Sequence, residues 1–506
     1  MRWRLTSLSG WEQSRISEFL RSYPRAVLLA CTLITIGYFA RAEARLLSLA
    51  PPYWWTWWDQ GKYLESVFAF ATGDLAATRH WYPVGYALLA APFANLFRTD
   101  PFVIVNILCL VGSLWAFVRL CETFGISRVI GAAIFLATSV FTPSILLHYV
   151  IPWSSTPTTF LILAGLALGF SPPSYTRAFL LGLMPGLIIM TKPVDAIALA
   201  PLAVYYAVEC LRARPTDAIA KWNPALRLVG MGVVGLAAGL GAAAIARWLV
   251  HGWTLSAFER QTTEGAVFII SSLPIKLYSL FVDPTIIYGH YLAPEGIFSR
   301  YPWVFAGTCG MTLMLFRDLR LAVLTLCAAV YIAMYAAYYD MIPNGLWHYN
   351  NIHYYTWCFP IFGLFAFVLV RRLLSESSVS DTAIVVLASV LLMGWRPVLR
   401  PVMATVEVET GTTARIYVIN NDVPFVVDLD GSPGNAAQVF VGSLKVRWGD
   451  RDLLPMHDSR VLPTERGARA VLLRVGNGRS LIISWEQVNV TDVRRVTLYK
   501  LDWNFL

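Results

Sequence analysis

The run Trp57-Trp58-Asp59-Gln60-Gly61-Lys62-Tyr63 sets one carboxylate among aromatic rings, and Thr72-Gly73-Asp74 and Trp81-Tyr82-Pro83-Val84-Gly85-Tyr86 follow it closely. A carboxylate within hydrogen-bond reach of a hydroxyl can take its proton as the oxygen attacks an electrophile, so Asp59 is a candidate general base. Asp also favours helix N-caps, and capping of the helix-like stretch that follows is the structural alternative; one side chain can do both. Asp74, after Gly73, reads as a turn residue, and Glu65 as solvated or paired with Lys62. Lys192 is a cation among apolar segments, which is costly and usually functional; a lysine at a helix end that reaches the interface is the plainer reading. His348 and His353, with Asp340 nearby, lack the spacing of a ligand pair on one helical face, so no metal site is expected.

These residues must be positioned by membrane helices. The 506-residue chain is 57% hydrophobic and 14% charged, against roughly 25% charged in a soluble domain. Its net charge of +9 is spread over short loops rather than gathered on one face, which argues against nucleic acid and for topology. Apolar runs near the length needed to cross a bilayer recur from residue 25 to 402, and backbone in lipid must bond to itself, so they are expected to be helices. We place about eleven of them, at 25–46, 101–121, 127–147, 156–170, 177–191, 194–211, 228–249, 302–316, 321–339, 353–370 and 382–400. Arginine and lysine mark every second loop, as at Arg119, Arg177, Arg212, Arg317 and Arg371. By the positive-inside rule those loops and the N-terminal segment 1–24 are cytoplasmic, and the long loops 49–100 and 251–301 face outward. The first run starts late and lacks a cleavage context, so it is expected to remain as an anchor.

Within the first outer loop, 59–72 and 85–97 are helix-like but short, which suits helices lying at the membrane surface. The aromatic residues of the outer loops fit an interfacial belt, with sugar stacking as the sharper alternative. After Pro401 the pattern changes to period-two alternation with turn signals at Asp430-Gly431, Gly449-Asp450 and Gly476-Asn477-Gly478. Residues 403–506 are therefore expected to form a small β-sandwich-like domain, placed outside by the last helix. All seven cysteines lie in or beside the apolar runs, so no disulfide framework is expected.

An acid just after the first helix, a surface helix, a Gly-Asp break and an aromatic-Pro-x-Gly-Tyr helix together resemble the GT-C superfamily of integral-membrane glycosyltransferases. That group includes the lipid A aminoarabinose transferases and protein O-mannosyltransferases. Thr191-Lys192-Pro193 resembles the Arg-Pro element of bacterial members, with lysine in place of arginine. Phe298-Ser299-Arg300-Tyr301-Pro302 is similar to their Ser-Arg-Tyr-Pro stretch, and His353-Tyr354-Tyr355 through Pro360 to their late helix. The resemblance covers roughly residues 25–400 and excludes the β-rich segment.

The resemblance implies transfer of a sugar from a polyprenyl-phosphate carrier to a glycan, lipid or protein acceptor outside the cytoplasm. It implies inversion at the anomeric carbon, Asp59 as base and no added cofactor. A bacterial inner membrane is the expected setting. The polyprenyl phosphate leaving group needs cations or hydrogen-bond donors, for which Arg300, Lys192, Arg79, His80 and His353 are the candidates. Arg300 enters a helix beside Tyr301-Pro302, where a guanidinium can grip phosphate oxygens in pairs or snorkel to headgroups. Trp58, Tyr63, Tyr82, Tyr86, Glu264 and His348 are expected to line the substrate site, although a solvated loop is the plainer reading of Glu264. The rivals are a lipid-linked glycan transporter or flippase, a glycan ligase or polymerase, and a non-catalytic scaffold. A transporter would place ionisable groups on broken helices in related halves, and no internal repeat is evident.

Overall fold

The computed structural model describes residues 24–48, 54, 58–212, 223–264, 268, 270, 273–283, 296–338, 351–376 and 378–401, together with the later strands named below. Among these residues, six helices are long and apolar enough to cross a membrane: Arg25–Leu47, Val103–Thr123, Pro193–Arg212, Ala225–His251, Leu319–Ala337 and Cys358–Ser375. Four shorter apolar helices are Ser155–Gly169, Tyr175–Thr191, Pro302–Leu315 and Val379–Gly394. The chain is a multi-pass helical membrane protein.

Two expected spans take another form. The single helix expected at 127–147 is a pair, Arg128–Val140 and Pro143–Val150, bent by 82°. Pro143 offers no N–H, and Thr142 before it is extended at φ −97°, ψ 99°, the conformation that proline imposes on its predecessor. The helix expected at 382–400 stops at Gly394, and Trp395–Pro401 is a strand. Pro397 is the physical reason, since a helix interior cannot hold it without losing a hydrogen bond.

The chain divides into two compact units. The first comprises Met1–Arg260, Met314–Ala328 and His353–Phe367. Its helices, in chain order, are α1 (Pro24–Leu47), α2 (Trp58–Ala71), α3 (Gly85–Ala90), α4 (Val103–Thr123), α5 (Arg128–Phe135), α6 (Pro143–Val150), α7 (Ser155–Gly169), α8 (Tyr175–Thr191), α9 (Ala200–Arg212) and α10 (Asn223–His251). α11 (Ala257–Glu264) begins in this unit.

α8 and α10 pack backbone to backbone. A Cβ on Gly182 would lie 2.0 Å from the Gly232 carbonyl oxygen, and one on Gly235 would lie 2.0 Å from that of Phe179. Only glycine allows this approach, and such close contact holds helices together in lipid, where apolar side chains gain little by leaving the acyl chains. A smaller version of the same contact sets the outer loop: a Cβ on Gly85 would stand 2.7 Å from the Met190 carbonyl oxygen. α3 is thereby fixed against the end of α8, two residues before Lys192. α2 and α3 share a core with the start of α4, built from Tyr63, Val67, Tyr86, Ala87, Ala90, Phe102 and Val105.

The second unit contains Gln261–Leu313, Ala329–Ile352 and Val368–Leu506. Its helices are α12 (Leu273–Phe281), α13 (Ile297–Arg300), α14 (Pro302–Leu315, whose last two residues belong to the first unit) and α17 (Val379–Gly394), while α15 (Leu319–Ala337) and α16 (Cys358–Glu376) run through both units. Its described strands are β1 (Trp395–Pro401), β2 (Thr405–Thr410), β3 (Thr413–Tyr417), β4 (Phe425–Pro433), β5 (Gly442–Ser443), β6 (Lys445–Trp448), β7 (Arg451–Asp452), β8 (Arg460–Thr464), β9 (Gly467–Leu472), β10 (Leu481–Ser484) and β11 (Val490–Phe505). One antiparallel sheet has the order β1-β11-β4-β9-β8-β5, and the other β2-β3-β10-β6-β7. β1 pairs with β11 from Trp395 opposite Phe505 to Pro401 opposite Tyr499, which ties the strand after α17 to the end of the chain.

Candidate active site

α2 starts at Trp58, so Asp59 lies in the helix's first turn rather than before it. There a carboxylate is favoured by the exposed N–H groups and the helix dipole. Asp59 is half-buried, and its carboxylate accepts a 2.5 Å hydrogen bond from the Tyr82 hydroxyl. Burial and the neighbouring Asp59 charge push the Tyr82 phenol far above its ordinary value. Tyr82 therefore keeps its proton and acts as a fixed donor to Asp59.

Several contacts hold this pair in place. The Tyr82 ring lies 4.9 Å from Tyr63 and 5.3 Å from Phe258, between ring centroids. Tyr63 donates to the Ser154 hydroxyl at 3.0 Å, and the Gln60 amide donates to the Pro152 carbonyl at 3.0 Å. These bonds tie α2 to the turn between α6 and α7. Tyr86 donates to Asn106 at 2.8 Å, and Asn106 in turn donates to the Val150 carbonyl at 3.2 Å. Phe258 is placed by α11, whose Glu259 receives two hydrogen bonds from Arg247, at 2.8 and 3.0 Å.

Lys192 occupies the break between α8 and the 3-10 turn Pro193–Leu199. Its stem is partly exposed and its ammonium is buried, 4.1 Å from the centre of the Tyr354 ring. Burial opposes the charge on this ammonium, while the carboxylates of Asp195 and Asp59 act against that and favour it. Asp195 is fully buried and accepts from the Thr158 hydroxyl at 2.9 Å. One cation thus feels two acids, one in the outer-loop helix and one fully buried. His353 lies next to Tyr354 and stacks on Trp153, with ring centroids 3.8 Å apart and planes 6° from parallel.

The other expected site residues have other surroundings or roles. His80 is buried with both ring nitrogens engaged: its Nε2 donates to the Asp74 carbonyl at 3.0 Å, and its Nδ1 shares a 2.7 Å hydrogen bond with the Ser66 hydroxyl. The carbonyl can only accept, so Nε2 is a donor, and with both ring nitrogens engaged neither is left for a phosphate. Arg79 is exposed and bonded to Glu65 at 3.1 Å, and Glu65 also accepts from Lys62 at 2.9 Å. These two cations hold the Glu65 carboxyl below its usual range. Asp74 accepts from the Ala76 N–H at 2.9 Å, beside Gly73 at φ 76°, and so shapes the turn.

Tyr63 and Tyr86 are 5% and 0% exposed, which makes them core residues rather than the expected substrate lining. Trp58, at 62% exposed, presents an open face with its edge against Trp81. Arg300 is exposed at the end of α13 in the second unit. Glu264 ends α11, with its side chain outside the description, and His348 lies outside the described residues.

Sequence reasoning missed Asp195, Thr158, Ser154 and Trp153. An available signal for Asp195 was an acid inside an apolar run three residues after a lysine; the other three had none, because their partners are distant in the chain. No family model and no curated protein matches any part of the chain.

Proposed function

We propose that this chain is an integral-membrane glycosyltransferase of the GT-C kind, which moves a sugar from a polyprenyl-phosphate carrier to a glycan, lipid or protein acceptor. The observation that carries the reading is the grouping of Asp59, its donor Tyr82, the buried Lys192 ammonium and Asp195 around one cluster of aromatic rings. In this reading the acceptor oxygen attacks the anomeric carbon and Asp59 takes the hydroxyl proton. The bond from the anomeric carbon to the phosphate oxygen breaks, and its electron pair leaves on the polyprenyl phosphate. Lys192 meets the charge that develops there. Attack opposite to departure inverts the anomeric centre, and Asp59 afterwards returns its proton to solvent. Trp58 and Tyr82 offer ring faces to a sugar, His353 is a further candidate for the phosphate, and no cofactor is called for.

The topology that fits places the basic loops and the N-terminus in the cytoplasm of a bacterium, following the arginine and lysine distribution. The Asp59 end then faces the periplasm, as does the β-rich C-terminal segment, whose two sheets we take to close as a sandwich.

A second reading, transport of a lipid-linked glycan, draws on the 82° break between α5 and α6 and on ionisable residues at the break beside α8, features that transporters use. A structure of the full chain with a polyprenyl-phosphate sugar bound tests the two. The enzyme reading expects phosphate against the Lys192 ammonium and the anomeric carbon facing Asp59 across room for one hydroxyl. A carrier bound away from Asp59 overturns it.

A further inference from the structure

A cavity of about 440 Å³ lies at the other end of α4 from the Asp59 group. α4 begins beside Tyr86 and Phe102, and its other end, with Arg119, Glu122 and Thr123, lines this cavity. The 21 residues of α4 span about 30 Å, the thickness of a bilayer's apolar layer. The cavity therefore stands at the opposite headgroup level. Its walls also take in Phe170 at the end of α7, Tyr205 and Glu209 on α9, and Arg320 in the first turn of α15.

Two arginines and two glutamates line these walls, Asp318 acts on the lining Tyr205, and Arg128, Arg177 and Arg212 around the recess add three more cations. Glu122 accepts from Arg119 at 3.0 Å and is also bonded by Arg128, so two guanidinium groups share one carboxylate. Glu209 is matched by Arg212 at 3.3 Å. Arg320 gives one N–H to the Phe170 carbonyl at 2.8 Å and lies 5.1 Å from the Phe124 ring. Those contacts fix its plane without neutralising it. Both carboxylates are thus engaged while positive charge remains, in a recess with a rigid guanidinium, the group best suited to phosphate oxygens. Val204 and Val208, one residue before Tyr205 and Glu209, are exposed and give an acyl chain an apolar face beside the cavity.

We propose that this cavity is a binding site for the phosphate of an anionic phospholipid headgroup in the leaflet opposite Asp59. The site is separate from the proposed sugar transfer and requires only that the helices span a membrane. Its charge complementarity selects an anionic lipid over a zwitterionic one, whose ammonium would meet the surplus arginine charge.

The test is native mass spectrometry of the full-length protein in detergent, with phosphatidylglycerol, phosphatidylcholine or glycerol 3-phosphate added. The parent protein retains phosphatidylglycerol in preference to phosphatidylcholine, and glycerol 3-phosphate at equal concentration does not displace it. Arg320→Gln and Arg119→Gln each reduce retention about tenfold, as expected for loss of one charge-assisted contact. Arg98→Gln, which alters an exposed arginine of the 49–100 segment, leaves retention unchanged. Arg119 is half-exposed, so its variant reports on binding even if loss of the Arg320–Phe170 bond impairs folding. Equal retention of the two lipids, retention unaffected by the Arg119 variant, or full displacement by glycerol 3-phosphate overturns the proposal.

Discussion

Replacing Lys192 with methionine while keeping Asp195 removes a cation that the buried Asp195 carboxylate acts on. Asp195 is fully buried and accepts a 2.9 Å hydrogen bond from Thr158. Removing one partner from a buried pair typically costs about 3–5 kcal/mol, because the remaining charge has lost both water and counter-charge. For a unit of this size the thermal midpoint should fall on the order of 5–15 °C. Adding Asp195→Asn removes the stranded charge and preserves an oxygen for Thr158. The double variant should return to within about 1 kcal/mol of the parent, since a buried pair exchanged for neutral groups is often close to neutral in stability. Unfolding of the detergent-solubilised protein, followed by tryptophan fluorescence, gives all four corners of the cycle. Transfer assayed on the same samples separates the roles of Lys192: the double variant folds but does not transfer sugar. A Lys192→Met protein as stable as the parent would refute the electrostatic argument, and full transfer by the double variant would refute the assignment of Lys192 to phosphate.

Tyr82→Phe keeps the rings packed against Tyr63 and Phe258 and deletes a hydrogen bond to a carboxylate, worth about 1.5–3 kcal/mol; sugar transfer should fall about 10- to 100-fold and the unfolding midpoint by a few degrees. His80→Ala should do the reverse, costing about 1–3 kcal/mol of stability by stranding Ser66 and the Asp74 carbonyl, while correctly folded protein keeps its turnover number. Gly235→Val forces α8 and α10 apart where a Cβ would stand 2.0 Å from the Phe179 carbonyl oxygen; a loss of at least about 1–3 kcal/mol is expected from overpacking, and an unchanged melting temperature would show that the two helices do not approach so closely.

What could be read from residue order follows the range of the forces involved. Apolar runs report helices because backbone in lipid has no other way to satisfy itself, and the expected segments 101–121 and 228–249 correspond to α4 and α10. The two spans that differ each contain a proline, Pro143 and Pro397, whose effect on its own backbone outweighs the hydropathy of the run. The outer-loop helices were visible through Asp59 and Gly85, and the Lys62–Glu65 pair through its spacing. The candidate site was only half legible. Asp195 meets Thr158 from 37 residues away, and Tyr82 meets Asp59 from 23, so neither contact has a local signature. Tyr63, Tyr86 and His80 have the residue types of a binding surface, yet packing turns them inward. Burial is set by which elements meet, and it distinguishes a buried histidine from a ligand-binding one only after the fold has formed.

Transfer of sugar from a purified polyprenyl-phosphate donor by Asp59→Asn protein tests the assignment of the base most directly. The substitution is nearly isosteric, and its amide can still face the Tyr82 hydroxyl. Loss of a general base lowers the rate about 10²- to 10⁴-fold, so the variant should fold and bind the donor like the parent and yet turn over at least about a hundredfold more slowly. Turnover at the parental rate would mean that Asp59 does not take the acceptor's proton.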